Sequence, residues 1–260
     1  MNITTTLRIA VLVAIVGGVS LPAGAAFVAI DDFESYTVGT AISGQGNWTA
    51  SDSASGVAAD PEDAANNALA VSYNYKFARN NLSATIADGT TGTFFYQFRL
   101  SGTTLSLGHG LSDQATPGIG SNTAYEVRMI SGNSGSTKYD DAGTSVDFNP
   151  ALTLSTDTWY SLWLVADNSA DTTRIYIEGG SFATQTELVG PDALNFKYGT
   201  TGPLVTFLIV ANSSNGSSKT YFDNLYIDTT GANTSNPLIP EPASMAMLAV
   251  GGLMMLRRRR

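Results

Sequence analysis

Apolar and polar residues alternate along short stretches of the chain, and polar turns separate these stretches. In residues 68–77, for example, Leu69, Val71, Tyr73 and Tyr75 occupy every second position. This two-residue period is typical of β-strands, because successive side chains of a strand point to opposite faces of the sheet. The strands predicted in this way are residues 27–33, 68–77, 93–100, 125–130, 158–166, 174–178, 204–210 and 220–227.

Many short strands separated by polar turns predict an all-β fold, specifically a two-sheet antiparallel β-sandwich of the jelly-roll type in residues 26–228. No segment sustains the 3.6-residue apolar period of an amphipathic helix, although residues 61–70 can hold one helical turn. The absence of a repeat of fixed period argues against a propeller or a solenoid. Residues 229–238 have few apolar side chains, and we predict that they form a linker.

The first 25 residues have the pattern of a secretory signal peptide. Arg8 precedes an apolar run, and the small residues Ala23, Gly24 and Ala25 follow Pro22. Because signal peptidases cleave after such small residues, we expect cleavage before Ala26. The alternative, a retained N-terminal anchor, is disfavoured by the helix-breaking pair of glycines at positions 17 and 18.

The last 22 residues, 239–260, combine three features in a fixed order. Pro240, Glu241 and Pro242 come first, an uncharged apolar run over residues 243–256 follows, and the chain closes with Arg257, Arg258, Arg259 and Arg260. At ~1.5 Å per residue the apolar run is about 21 Å long as a helix, shorter than the ~30 Å hydrocarbon core of a bilayer. The arginines favour the cytoplasmic side of a membrane.

This tail resembles the PEP-CTERM sorting signal of Gram-negative bacteria that make exopolysaccharide. The resemblance implies that an exosortase, a membrane-embedded enzyme, cleaves near the Pro-Glu-Pro tripeptide and releases or re-anchors the protein at the cell surface. The alternative is an ordinary C-terminal membrane anchor, which has no need of the tripeptide and is usually longer. With the signal peptide, the tail predicts export to the cell envelope, the cell surface or the extracellular matrix.

Three further stretches, residues 29–50, 158–180 and 220–228, are similar to laminin-G-like and concanavalin-A-like jelly rolls. The shared features are a Phe-Glu pair at the start (Phe33 and Glu34), a Trp-Tyr strand with its partner hairpin, and a closing Phe-Asp-Asn strand. This resemblance supports the predicted fold more than it supports any activity.

Composition narrows the possible partners. The chain has 22 acidic and 13 basic residues and a net charge of −9. Five of the arginines belong to the two targeting segments, so the exported part is more acidic still. Such a surface repels nucleic acid, and we expect no nucleic-acid partner. There is no cysteine, so disulfides cannot stabilise the exported domain.

The acidic residues near the two ends of the domain are candidate ligands of Ca²⁺. The first and last strands of a sandwich commonly lie side by side, so Asp31, Asp32 and Glu34 can approach Asp223 and Asn224. Carboxylate and carbonyl oxygens are the ligands that Ca²⁺ prefers. Similarity to jelly-roll carbohydrate-binding modules implies a structural Ca²⁺ held by Glu34 and Asp223. The alternative to a Ca²⁺ site is that Asp223 and Asn224 form a turn or bulge, and that Asp31, Asp32 and Glu34 are simply exposed to water.

Catalytic patterns are scarce. His109 is the only histidine and has no nucleophile motif beside it, and no strand carries an alternating run of carboxylates. We therefore expect no enzymatic activity.

Exposed aromatic side chains that stack on sugars are the remaining candidates, although we assign no ligand-binding residue on this basis. The aromatic residues considered are Trp48, Tyr73, Tyr75, Tyr96, Tyr125 and Tyr139. We expect an exported protein that binds extracellular polysaccharide. The alternatives are a structural matrix or adhesion protein without a sugar site, and a polysaccharide lyase or hydrolase on the same fold.

Overall fold

The fold was analysed in a computed structural model of the chain. The structure describes residues 27–72, 76–102, 106–116, 122–133, 136–211 and 219–239. Both predicted targeting segments, including the cleavage residues Ala23, Ala25 and Ala26 and the whole tail from Pro240 to Arg260, lie outside the described residues. Their roles therefore stay predictions.

Two antiparallel sheets pack face to face. Sheet 1 contains, from edge to edge, β13 (Phe182–Leu188), β12 (Thr172–Gly179), β11 (Trp159–Asp167), β6 (Thr91–Leu100), β16 (Lys219–Asp228), β4 (Asn67–Ser72) and β3 (Gly56–Ala59). Two short strands extend it, β1 (Val28–Asp31) on β16 and β14 (Leu194–Asn195) on β12. The first and last strands of the domain are thus neighbours, as expected.

Sheet 2 covers the other side of the core. Its strands, from edge to edge, are β10 (Thr144–Leu152), β9 (Ser136–Asp141), β8 (Val127–Asn133), β7 (Leu107–Ser112), β15 (Leu204–Ala211), β5 (Lys76–Ile86) and β2 (Trp48–Ala50). The predicted all-β sandwich is confirmed. The possible helical turn in residues 61–70 is wrong, because β4 already begins at Asn67 and no helix occurs among the described residues. Accordingly, the described part of the chain holds no helix long and apolar enough to cross a membrane.

Aromatic side chains fill the space between the sheets. Phe94, Tyr96 and Phe98 alternate along β6 and point inward, where they meet Phe207 of β15 and Phe222 of β16. The ring of Phe207 lies 4.9 Å from the rings of both Phe94 and Tyr96, measured between centroids. Each such side chain removes a large apolar surface from water, worth about 1.5–3 kcal/mol when burial is complete.

The segment predicted as a linker is hydrogen-bonded to the outer face of sheet 1. The hydroxyl of Thr93 donates to the carbonyl of Gly231 at 3.1 Å, and the indole N–H of Trp163 donates to the carbonyl of Ser235 at 2.9 Å. Gln185 donates to the carbonyl of Thr234 at 2.7 Å. These bonds satisfy backbone groups that would otherwise need water, so residues 229–235 form an additional layer over Trp163.

Candidate functional site

Several loops meet at one end of the sandwich, which we call the loop end. Strand β7 ends there at Ser112 and β8 begins there at Val127. The hairpin between β11 and β12 turns at residues 168–171, and the connection from β14 to β15 passes through residues 196–203. Side chains on the outer face of sheet 2 converge at this end.

A buried ion cluster forms the floor of the loop end. Asp140 of β9 accepts hydrogen bonds from Arg128 of β8 at 2.9 Å and from Lys197 at 2.7 Å. Arg128 also donates to the side-chain oxygen of Asn122 at 2.9 Å, and the Lys197 ammonium donates to the Asn122 carbonyl. The cluster therefore ties the loop ahead of β8 to the loop after β14.

Glycines make room for this cluster. Gly108 lies on β7 beside Arg128, and a Cβ atom at Gly108 would stand 2.9 Å from the Arg128 Nε atom. Gly110 has φ +154°, and a Cβ atom there would stand 2.0 Å from the carbonyl oxygen of Val127. Any side chain at either position would displace β8 or the guanidinium of Arg128.

Glu126 precedes β8 and is held beside the ion cluster. Its carboxylate accepts the backbone N–H of Tyr198 at 3.3 Å, and its carbonyl accepts the N–H of Lys197 at 2.7 Å. Burial raises the pKa of Glu126 to about 7, and the charges of Asp113 and Asp171 add to this rise against the lowering effect of the Tyr198 and Gly199 N–H groups. A carboxyl group of this kind is partly protonated at neutral pH.

Asp113 follows β7 and contributes a second carboxylate. One of its oxygens accepts the Thr200 hydroxyl at 2.8 Å. The other oxygen, Oδ1, is buried and finds no hydrogen-bond partner among the described residues. The backbone N–H of Thr200 donates to Asp171 at 3.2 Å, so Thr200 links the carboxylates of two loops.

An exposed aromatic ring lies next to the ion cluster. Tyr198 is 57% exposed, which makes it the most exposed aromatic side chain among the described residues. The ammonium of Lys197 lies 5.3 Å from the centre of its ring. A flat apolar ring next to carboxylates, an amide and an ammonium can stack on a ligand and donate and accept hydrogen bonds around its rim.

The aromatic residues that the sequence suggested for sugar contact are not available for it. Trp48, Tyr96, Tyr125 and Tyr139 are each at most 2% exposed, so this interpretation is wrong for them. Tyr73 and Tyr75 lie outside the described residues. Tyr198 was not among the residues predicted from the sequence, because its only signal is its place between Lys197 and Gly199 in a turn-forming stretch.

His109 is a structural residue of the core. Its two ring nitrogens contact the hydroxyls of Tyr96 and Ser131, the latter at 2.8 Å. Burial, helped by the charge of Arg128, lowers the pKa of His109 to about 3, so the imidazole is neutral at ordinary pH. The His109 side chain is fully buried, so it has no contact with solvent.

The predicted Ca²⁺ ligands lie at the edge where β1 meets β16. The Asp223 carboxylate accepts a hydrogen bond from the side-chain amide of Asn66 at 2.9 Å. The Glu34 carboxylate accepts one from the backbone N–H of Asn67, the neighbour of Asn66, at 2.7 Å. Burial is the main cause that raises the pKa of Asp223 to about 7. The hydrogen bonds from Asn66 and Asn224 oppose this rise, and the nearby charges of Glu34 and Asp60 contribute to it.

These carboxylates do not form a finished metal site. Both oxygens of Asp223 already accept N–H groups, two of them from Asn224 at 2.7 and 3.0 Å. Within the described ranges, no group of three or more His, Cys, Asp or Glu side chains could hold a metal ion. The Ca²⁺ site at Glu34 and Asp223 therefore stays a prediction.

Comparisons with known proteins identify the fold but no family. No protein-family description and no curated protein matches the chain. Among solved structures, the catalytic domain of the glycoside hydrolase family 131 protein from Coprinopsis cinerea is similar, with a TM-score of 0.55 and 13% identity over 83% of this chain and 98% of that one.

A carbohydrate recognition domain and a lectin are also similar in fold, with slightly lower TM-scores. The carbohydrate recognition domain of Emp47p has a TM-score of 0.52 and 10% identity over 80% of this chain and 99% of that one. The seed lectin of Lotus tetragonolobus has a TM-score of 0.50 and 9% identity over 74% of this chain and 97% of that one. The chain has the lectin-like jelly-roll fold.

The comparison with the Coprinopsis cinerea domain corrects one expectation. We expected no enzymatic activity, from the lone histidine and the missing run of carboxylates. The fold is, however, one that a glycoside hydrolase catalytic domain also adopts. Tertiary structure can also bring carboxylates together from separate loops, as with Glu126 and Asp113, where a search along single strands does not find them.

Proposed function

We propose that this protein is exported and binds carbohydrate at the loop end, with Tyr198 as the stacking residue. The observation that carries the proposal is the exposed ring of Tyr198, a residue whose backbone N–H bonds the Glu126 carboxylate and whose ring lies 5.3 Å from the Lys197 ammonium. Sugar rings present apolar C–H faces and a rim of hydroxyls, and an aromatic ring flanked by carboxylate and amide groups complements both. The similarity of fold to a carbohydrate recognition domain and to a seed lectin supports the proposal.

A second candidate function is glycoside hydrolysis at the same end. The observation that favours it is the raised pKa of Glu126, about 7, next to the carboxylate of Asp113. Glycoside hydrolysis commonly uses two carboxyl groups, one that stays protonated to act as general acid and one that is ionised. A carboxyl group with the raised pKa of Glu126 can act as the acid, and Asp113, whose charge contributes to that rise, is the candidate second carboxylate.

The proposal includes the sorting and the metal inferred from the sequence. The tail with Pro240, Glu241, Pro242 and the four arginines directs the protein through an exosortase after the secretion machinery has exported it. A Ca²⁺ ion held by Glu34 and Asp223 joins β1 to β16. Its binding requires the amide groups of Asn66 and Asn224 to turn their oxygens toward the ion.

Replacing Tyr198 tests carbohydrate binding. On an array of neutral and acidic glycans, we expect Tyr198→Ala to weaken binding about tenfold or more, because stacking and apolar burial together are worth about 1.5 kcal/mol. Tyr221 lies in β16 near the end of the sandwich opposite the loop end. Tyr221→Ala is therefore the matched control and should bind glycans as well as the wild type. If the wild-type protein retains no glycan, or if Tyr198→Ala binds as well as wild type, the loop-end site is wrong.

Hydrolysis is tested by the release of reducing ends from β-glucans and from other glycans retained on the array. Glu126→Gln should lower the rate by about 10²–10⁴-fold, since it removes the general acid. The wild-type rate should fall as the pH rises above about 7, because Glu126 then loses its proton. Glu62→Gln, which changes an exposed carboxylate at the end of the sandwich opposite the loop end, serves as control. A wild-type protein without activity at any pH contradicts this second function.

Thermal melts with and without EGTA test the metal. Bound Ca²⁺ stabilises only the folded state, so chelation should lower the melting temperature by a few degrees. Asp223→Asn should abolish this response, whereas Asp192→Asn, an exposed residue, should keep it. An EGTA-insensitive melting temperature for the wild-type protein rules the ion out.

Mass spectrometry of the protein recovered from the cell surface tests sorting. The C-terminus should lie near Pro240, Glu241 and Pro242, and variants with alanine at both prolines should keep the full tail. A surface form that still ends at Arg260 would falsify exosortase processing.

A further inference from the structure

Two neighbouring cavities lie on the outer face of sheet 1 at the loop end. The larger, about 600 Å³, is bounded by β6, β11, β12 and the segment 229–232. The smaller, about 350 Å³, lies on the other side of β12 and reaches the connection between β13 and β14. Both are lined by Thr172, Thr173 and Arg174, and together they form a trough across the sheet.

The trough has a rigid floor and wall. Strand pairing sets Arg174 beside Val165, and Thr172 beside Asp167, on the outer face. The wall is the segment from Thr229 to Ala232. Asp228 fixes this segment, since its carboxylate accepts the backbone N–H and the hydroxyl of Thr230 at 2.8 and 2.6 Å. The trough thus exists before any ligand binds, which reduces the entropy cost of binding.

The lining is rich in groups that make no hydrogen bond or ion pair within the described part of the protein, although the Arg174 guanidinium lies over the ring of Tyr176, 6.0 Å from its centre. Among the described residues, the hydroxyls of Thr91, Thr172 and Thr229 and the guanidinium of Arg174 have no hydrogen-bond or ion-pair partner. Three threonine hydroxyls can donate and accept, and the guanidinium donates several bonds at once. This chemistry suits a ligand with many hydroxyl groups more than an apolar peptide segment.

The trough and the Tyr198 site lie on two sides of the same hairpin. Thr172 pairs with Asn195, and the carbonyl of Asp171 accepts the N–H of Phe196 at 2.6 Å. The side chain of Asp171 then accepts the N–H of Thr200 at 3.2 Å. Tyr198 stands midway between these two attachment points, so the residues that carry its ring are fixed to the hairpin that forms the trough.

We propose that the carbohydrate-binding surface continues from Tyr198 over the β11–β12 hairpin into the trough, so that the ligand is a polysaccharide chain rather than a single terminal sugar. This inference rests on the proposed function and specifies its ligand class. Tyr198 stacks on one part of the glycan chain, and Arg174 with the threonines binds the hydroxyls of another part.

Chain length is the variable that tests the inference. Titrations of the full chain use di-, tetra- and hexasaccharides of the cello-, laminari- and alginate series. Wild type should bind the hexasaccharide of its preferred series at least about tenfold more tightly than the disaccharide. The double variant Arg174→Ala/Thr229→Ala, and Ala232→Trp, whose indole obstructs the larger cavity, should lose the tighter binding of the hexasaccharide and keep the disaccharide affinity. Lys219 is an exposed cation at the end of β16 away from the loop end. The control variant Lys219→Ala should therefore keep both the disaccharide affinity and the tighter binding of the hexasaccharide.

The outcomes separate the trough from the Tyr198 site. Affinity that does not depend on length, or trough variants that keep the full gain, would overturn the inference while leaving the loop-end site intact. If Tyr198→Ala binds normally and the trough variants do not, the Tyr198 site is wrong and the trough alone binds the chain. A wild-type protein that binds none of the oligosaccharides overturns both. Unchanged melting temperatures show that the variants are folded.

Discussion

The burial of aromatic side chains between two sheets is the interaction on which the rest of the structure depends. Phe94, Tyr96 and Phe98 of β6 meet Phe207 and Phe222, and the fully buried His109 fills the space beside them with both ring nitrogens bonded. The chain has no cysteine, so the hydrogen bonds of the ladders hold the strands within each sheet, and apolar burial holds the two sheets together. The rigid scaffold that results fixes the loop ends from which the site is built.

Electrostatics organise the loop end. Arg128 and Lys197 share the single carboxylate of Asp140, and all three side chains are at most 7% exposed. A buried ion pair of this kind contributes little net stability, because desolvation offsets most of the attraction, but loss of one partner leaves an unpaired charge. Its role here is positional. By holding Asn122 and Lys197 together, it places Glu126 against the N–H groups of Tyr198 and Gly199 and leaves the Tyr198 ring in solvent.

The strands that read most clearly in the sequence are those with a buried face or two. Strands β6, β11, β15 and β16 were predicted within one or two residues, because their apolar side chains dominate the pattern. The strands that were missed are β2, β3, most of β5, β7, β9, β10, β13 and β14. In β10 and β13 most side chains are exposed and polar, and their place in the sheet comes from backbone pairing with neighbours. Strand β7 is buried, but its six residues include two glycines and no β-branched residue, so its sequence lacks a strand pattern. The segment 229–235 also lacks an apolar pattern, because hydrogen bonds rather than apolar side chains attach it to the sheet. It is held through backbone carbonyls, which every residue has.

The sequence by itself determined the fold class and named the candidate acids at β1 and β16, because alternation of apolar side chains and the order of the strands are properties of neighbouring residues. It also determined the prediction of export and sorting, which depends on two local motifs. Only the tertiary structure decided which aromatic side chain is exposed, since burial depends on the opposite sheet and on the covering loops. In the same way, Glu126, Asp113 and Tyr198 are separated along the chain by up to 85 positions. They become one site only because strand pairing and the Arg128–Asp140–Lys197 cluster bring their loops together.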